Sequence, residues 1–137
     1  MPSYSAITPE ILRDIKEAVG PDAVVLHPEK LCEFGKDAGE EERLPELVVE
    51  ATSTQQVSAL LRLANRHSFP VTPRGLGTDL AGGSVPLFGG VLLSLAKMNR
   101  ILAIEKDNLI AVVEPGVVTL DLQNAVKKEG LFYPPDP

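Results

Sequence analysis

The chain has 137 residues, of which 44% are hydrophobic, 23% are charged and 4% are aromatic, and its formal net charge is −6. This composition is typical of a soluble globular domain and argues against a disordered chain. The negative charge and the few aromatic side chains argue against nucleic acid as a partner, and no apolar run approaches the roughly 20 residues that span a membrane.

Residues 1–45 are expected to form an N-terminal helix and an arm. The run Thr8-Pro9-Glu10 predicts a helix start, because threonine is a good N-cap and proline suits the first helical position. That helix is expected to end at Gly20-Pro21. Residues 27–45 are mixed and polar, and the cluster Glu40-Glu41-Glu42 is interpreted as a solvated loop.

Residues 46–137 carry the compact pattern. Ser53-Thr54-Gln55-Gln56 is predicted to start a helix as a capping box, and Thr119 is predicted to cap a last helix that runs to about Glu129. Short apolar runs predict strands at residues 23–26, 47–49, 70–73, 91–95, 101–105 and 109–114. The last two of these runs are expected to form a hairpin. The interspersed helices and strands predict an α+β fold, or α/β with a mixed sheet, in which helices flank a small mixed sheet.

The most informative segment is Pro73-Arg74-Gly75-Leu76-Gly77-Thr78-Asp79-Leu80-Ala81-Gly82-Gly83-Ser84. Its glycines let the backbone turn several N–H groups toward one anion, while hydroxyls and the cation of Arg74 add donors for a diphosphate. The Rossmann fingerprint does not fit, because Leu80 stands where that pattern needs glycine, and the P-loop lysine is absent. On glycine content alone, a tightly turned surface loop is an equal alternative.

The same segment resembles the diphosphate-binding motif of FAD-linked oxidases of the vanillyl-alcohol oxidase (PCMH) type, in the pattern Pro73-Arg74-Gly75-x-Gly77-Thr78-x-x-x-Gly82-Gly83. Within that family it is most similar to glycolate oxidase FAD subunits and to D-lactate and D-2-hydroxyglutarate dehydrogenases. The similarity covers about residues 30–137 in order. Two further landmarks are Val113-Glu114-Pro115-Gly116-Val117 and the run from Leu131 to Pro137.

This resemblance implies FAD as the cofactor and makes residues 46–137 the first, incomplete subdomain of a PCMH-type FAD-binding domain. The residues that it assigns to the diphosphate are Pro73, Arg74, Gly75, Leu76, Gly77, Thr78, Gly82 and Gly83. It places Pro115, Gly116 and Pro135 on the flavin side. No catalytic residue and no metal ligand is assigned, since His27 and His67 stand in no ligand spacing.

Two departures from the family pattern concern charge and a hydroxyl. Asp79 stands where a small neutral residue is usual, and a carboxylate beside a diphosphate would repel it. Asp79 is therefore expected to point away or to cap a local N–H group, or else to weaken FAD binding. Phe34-Gly35-Lys36-Asp37 is similar to a Tyr-x-x-Asp element of the family but lacks the tyrosine hydroxyl.

The function implied by the resemblance is oxidation of a 2-hydroxy acid by hydride transfer to the flavin. Family members continue well past residue 137, so the chain by itself is expected to be inactive. Alternatives are a non-catalytic folded domain, half of a split enzyme that needs a second chain or self-associates, and a relative of the UDP-sugar reductases. The single cysteine, Cys32, and the absence of a secretory signal favour the cytoplasm.

Overall fold

The computed structural model of the chain describes residues 4–39 and 41–135. Contacts divide the chain into two compact units, one ending at Lys97 and one beginning at Met98. The helices of the first unit are α1 (Pro9–Val19), α2 (Pro28–Phe34) and α3 (Thr54–His67). Its strands are β1 (Val24–Val25), β2 (Leu47–Glu50), β3 (Val71–Arg74) and β4 (Val91–Ser94). The second unit holds β5 (Ile101–Glu105), β6 (Ile110–Val113) and α4 (Thr119–Lys128).

The first unit is built on a four-stranded mixed sheet with the order β1-β2-β4-β3. β4 pairs in parallel with β2 and β3, so that Leu92 lies beside Val48 on one side and Thr72 on the other. β1 pairs with β2 in the antiparallel sense and forms the edge of the sheet opposite β3. The central strands β2 and β4 are apolar except at their last residues, Glu50 and Ser94, and are buried except at Glu50, as strands covered on both faces require. The mixed sheet and its helices confirm the predicted fold class.

Helix α1 packs on α3, and their first turns confirm both predicted helix starts. The Thr8 hydroxyl accepts from the Ile11 N–H at 3.3 Å, and the Ser53 hydroxyl accepts from the Gln56 N–H at 3.3 Å. The capping box is only half formed, because the Gln56 side-chain oxygen accepts from the Thr52 N–H at 2.8 Å rather than from Ser53. No helix within residues 4–39 and 41–135 is long and apolar enough to cross a membrane.

The polar arm contains the helix α2, which the sequence pattern did not predict. Its seven residues begin with Pro28 at the first helical position and Glu29 in the first turn, both favourable at a helix start. Two turns are too short to leave a helical repeat of apolar residues. Glu41 and Glu42 are exposed, as a solvated loop requires, and Glu40 lies outside the described residues. The domain boundary after residue 45 stays a prediction.

The second unit combines the hairpin of β5 and β6 with α4. The hairpin is antiparallel, with Ile101 opposite Val113 and Glu105 opposite Ile110, as the sequence predicts. The assignment of Thr119 as the helix cap is wrong, because Val118 occupies the N-cap position without a side-chain hydrogen bond. The apolar side chains buried in this unit are Met98, Leu122 and Val126.

Candidate cofactor site

The glycine loop begins at the carboxyl end of the edge strand β3. The strands β2, β4 and β3 are parallel, so their carboxyl ends lie at the same end of the sheet. Ligands of open sheets with parallel strands bind at that end. The Leu95 N–H donates to the Arg74 carbonyl at 2.8 Å, so the first residue of the loop is held against the end of β4. The start of the loop is therefore held by the residue that follows the central strand β4.

The guanidinium of Arg74 lies inside the loop and only 8% of the residue is exposed. Its Nη1 donates to the Lys36 carbonyl at 2.7 Å and reaches the Ser84 hydroxyl at 3.5 Å. Gly77 has a φ of 72°, and a Cβ at this position would overlap the Arg74 guanidinium. Position 77 therefore requires glycine for both its backbone angle and its space. The assignment of Arg74 and Gly77 to a diphosphate stays a prediction.

Two N–H groups at the far end of the loop donate to carboxylates of the protein itself. The Gly82 N–H donates to Asp37 Oδ2 at 2.9 Å, and the Gly83 N–H donates to Asp79 Oδ1 at 3.1 Å. The Ser84 hydroxyl donates to Asp79 Oδ2 at 2.5 Å, and this bond is the main reason that the pKa of Asp79 lies below its usual value. Asp79 thus caps a local N–H group, one of the two arrangements expected from the sequence.

The near end of the loop, residues 75–78, keeps its backbone donors available. Within the part of the chain that the structure describes, the N–H groups of these four residues donate to no protein acceptor. Thr78 is exposed and adds a hydroxyl donor, while the Leu76 side chain is exposed and carries no polar group. Backbone N–H donors with no protein acceptor suit an anion, so the residues present fit a diphosphate here.

The remaining predicted site residues are Pro73 and Gly75 at the start of the loop segment, and Pro115, Gly116 and Pro135 further along the chain. Pro73 is an exposed residue of β3, and Gly75 directly follows the strand. Pro115 and Gly116 belong to a turn of the second unit, in which the Gly116 N–H donates to the Met98 carbonyl at 2.8 Å. The Pro135 carbonyl accepts from the Gln123 side chain at 3.3 Å. Their assignments stay predictions, and Asp136 and Pro137 lie outside the described residues.

A buried carboxylate in the second unit has a structural partner. Glu114 accepts from the Arg100 backbone N–H at 2.8 Å through Oε2 and from the Arg100 guanidinium at 2.6 Å through Oε1. The guanidinium and backbone donors of Arg100 hold the pKa of Glu114 below its usual value. These contacts tie the end of β6 to the start of β5, so Glu114 is used for structure.

Sequence comparison identifies the family of this fold. Residues 45–137 match the family described as the FAD binding domain. The chain belongs to this family. FAD is accordingly the cofactor of the domain, of which the chain carries a part.

The relatives of the chain include enzymes and a solved structure with the same fold. It is 43% identical to a D-lactate dehydrogenase of Anaerostipes hadrus over 136 residues, which are 98% of the chain and 28% of the relative. It is 47% identical over 94 residues to the glycolate oxidase subunit GlcD of Bacillus subtilis, covering 69% of the chain and 20% of the relative. The structure of p-cresol methylhydroxylase with substrate bound has a TM-score of 0.78 at 27% identity, over 89% of the chain and 25% of that protein.

The chain therefore spans about a quarter of the length of the relatives that it matches.

The interaction that sequence reasoning missed in the candidate site is the contact of Asp37 with Gly82. These residues are 45 positions apart, and no spacing rule joins an arm residue to a distant loop. The only signal was the similarity of residues 34–37 to an element of the family.

Proposed function

We propose that the chain is the diphosphate-binding part of an FAD-dependent oxidoreductase that oxidises a 2-hydroxy acid. The observation that carries the proposal is the set of four N–H groups at residues 75–78 that have no protein acceptor among the described residues. They follow a parallel strand at the edge of the sheet where ligands of such folds bind. The membership of the FAD binding domain family supports FAD as the anion that they hold.

The residues of the chain bind and orient the cofactor in this proposal. The N–H groups of residues 75–78 and the Thr78 hydroxyl donate to diphosphate oxygens, and the buried Arg74 guanidinium contributes positive charge from beneath the loop. Each charge-assisted hydrogen bond contributes roughly 1.5–3 kcal/mol, so a few of them offset the negative net charge of the chain. When bound, FAD supplies the capacity to accept a hydride, which no side chain has.

A 2-hydroxy acid is the substrate class that the relatives support. The proteins named D-lactate dehydrogenase and glycolate oxidase subunit GlcD both carry names of 2-hydroxy acids. We infer the same class for the complete protein and a location in the cytoplasm. The chain of 137 residues by itself is proposed to bind FAD without oxidising substrate, since no catalytic residue is assigned in it.

A partner chain or a second copy is the other candidate for this protein. The second unit exposes many large apolar side chains, and such surface promotes association. The exposed ones are Leu102, Leu109, Ile110, Val112, Val113, Val118, Leu120 and Phe132. Size-exclusion chromatography with light scattering is expected to show self-association, and a monomer at every concentration would contradict it.

Titration with FAD, followed by quenching of flavin fluorescence, tests the proposed function. We expect saturable binding that is weaker than micromolar, because the chain carries only part of the domain. Inorganic pyrophosphate should compete with FAD, since it presents the same diphosphate group to the loop. Binding that pyrophosphate does not affect would show that the loop is not the diphosphate site, and no binding at millimolar FAD would contradict the proposal as a whole.

A further inference from the structure

The segment Lys36–Gly39 of the arm lies directly against the glycine loop. Three hydrogen bonds join the two, and each uses a different residue of the loop. Arg74 Nη1 donates to the Lys36 carbonyl at 2.7 Å, and the Ala38 N–H donates to the Asp79 carbonyl at 3.1 Å. The Gly82 N–H donates to Asp37 Oδ2 at 2.9 Å. The loop is thus held near its beginning, in its middle and near its end by one short segment.

Asp37 makes the bond that holds the far end of the loop. Its Oδ1 accepts from the Gly39 N–H at 2.8 Å within its own segment, while its Oδ2 accepts from the Gly82 N–H. The first bond fixes the carboxylate, so the second is made by a group that is already oriented. The approach is close as well, because a Cβ at position 39 would lie 3.1 Å from the Leu80 carbonyl oxygen.

The three attachment points leave residues 75–78, between Arg74 and Asp79, as the longest unattached stretch of the loop. This stretch lies between the residues held by Lys36 and Ala38, and its N–H groups donate to no acceptor in the described ranges. An anion nest binds best when its backbone is already fixed, since binding then costs little conformational entropy. The arm segment therefore fixes the ends of the stretch while its donors remain available.

We propose that Asp37 is a positioning residue for FAD: it fixes the glycine loop through Gly82 so that the N–H groups of residues 75–78 are arranged for the diphosphate. This inference rests on the proposed function of the loop. It assigns a role in cofactor affinity to a residue of the arm that does not itself contact the diphosphate. Because Asp37 is negatively charged, a purely electrostatic influence on FAD would have the opposite sign.

The two explanations predict opposite changes in FAD affinity, so substitutions of Asp37 distinguish them. Asp37→Ala removes a negative charge, so electrostatics alone would strengthen FAD binding, whereas loss of positioning weakens it. Asp37→Asn removes the same charge but keeps an oxygen that accepts from Gly82, so it should restore part of the affinity. Glu29→Gln, at an exposed residue of α2, is the matched control for loss of one negative charge on the arm.

Two measurements are made on the chain of 137 residues: FAD affinity by fluorescence titration, and hydrogen exchange of the Gly82 N–H by NMR without FAD. We expect Asp37→Ala to weaken FAD binding about tenfold or more and to speed Gly82 exchange by a similar factor, as loss of one charge-assisted bond implies. Asp37→Asn should fall between wild type and Asp37→Ala, while Glu29→Gln should bind FAD at least as tightly as wild type.

An Asp37→Ala protein that is folded and binds FAD as tightly as wild type would overturn the proposal, as would unchanged exchange of the Gly82 N–H. If Asp37→Ala does not fold, Asp37→Asn decides: weaker FAD binding than Glu29→Gln supports positioning, and equal binding overturns it. Failure of the proposed function is distinguishable, because it appears as absence of FAD binding by the wild-type chain before any variant is made.

Discussion

The guanidinium of Arg74 fills the space that a side chain at position 77 would need, so Arg74 and Gly77 pack as a pair inside the glycine loop. The arginine is the last residue of β3 and the glycine lies three positions later in the left-handed region of backbone conformation. The loop is therefore shaped from within by a side chain that the sequence suggests as a ligand of the cofactor.

Substitution Gly77→Ala is expected to abolish measurable FAD binding. A methyl group at this position overlaps the Arg74 guanidinium and is strained at a φ of 72°, so the loop must change its path. Gly20→Ala is the matched control, because Gly20 also has a positive φ, of 88°, but has open space around its Cβ position. It should lose some stability to strain and retain FAD binding. Equal affinity of Gly77→Ala and wild type would contradict the loop geometry.

Substitution Arg74→Lys keeps the positive charge and removes the planar group. An ammonium cannot reproduce the fork of donors that reaches Lys36 and Ser84. We expect the free energy of unfolding in urea to fall by about 1–2 kcal/mol, as for loss of one buried hydrogen bond to a neutral acceptor, and FAD affinity to fall with it. Full affinity in Arg74→Lys would instead identify the charge alone as the contribution of this residue.

Substitution Asp79→Asn is expected to raise FAD affinity several-fold. The Ser84 hydroxyl lowers the pKa of Asp79, so the side chain is ionised at neutral pH and repels an anion bound at the adjacent residues 75–78. Asparagine removes the charge and keeps an oxygen that accepts from Gly83. The gain should shrink at high salt, because exposed charges are screened. A gain that does not depend on salt would argue against an electrostatic cause.

The stability of the chain is expected to depend on pH through Glu114. Arg100 lowers the pKa of this carboxyl in the folded state, so its stabilising effect is complete above its ordinary pKa of 4.5. The effect is lost as the pH falls through the lower pKa of the folded state. Urea unfolding of wild type and Glu114→Gln should therefore differ most at neutral pH and converge below pH 4.5. A difference that stays constant down to pH 3 would contradict the pairing with Arg100.

Much of the fold follows from local sequence. Apolar runs placed the strands, and the hydroxyls of Thr8 and Ser53 fixed the starts of α1 and α3, because caps and periodicity are properties of a few adjacent residues. The order of the strands in the sheet was not predictable in the same way. β4 lies between β2 and β3, and that arrangement depends on contacts between distant parts of the chain.

The candidate site was likewise only partly predictable from local sequence. Glycine content and the family resemblance located the loop, but not which of its donors the protein uses for itself. Residue spacing gives no sign that Asp37 reaches Gly82 or that Arg74 turns inward to Lys36. These contacts arise when the arm packs beside the loop. The N–H groups at the far end of the loop, at Gly82 and Gly83, donate to protein carboxylates, while those of residues 75–78 have no protein acceptor among the described residues.

The most direct measurement is a series of ¹H–¹⁵N NMR spectra of the chain recorded during titration with FAD. The central claim is that the N–H groups of residues 75–78 hold the diphosphate while those of Gly82 and Gly83 remain on the carboxylates of Asp37 and Asp79. The largest shifts are therefore predicted at residues 75–78, with smaller ones at positions 82 and 83, and pyrophosphate should reproduce them. Saturable FAD binding that leaves the amide signals of residues 75–78 unmoved would contradict the claim.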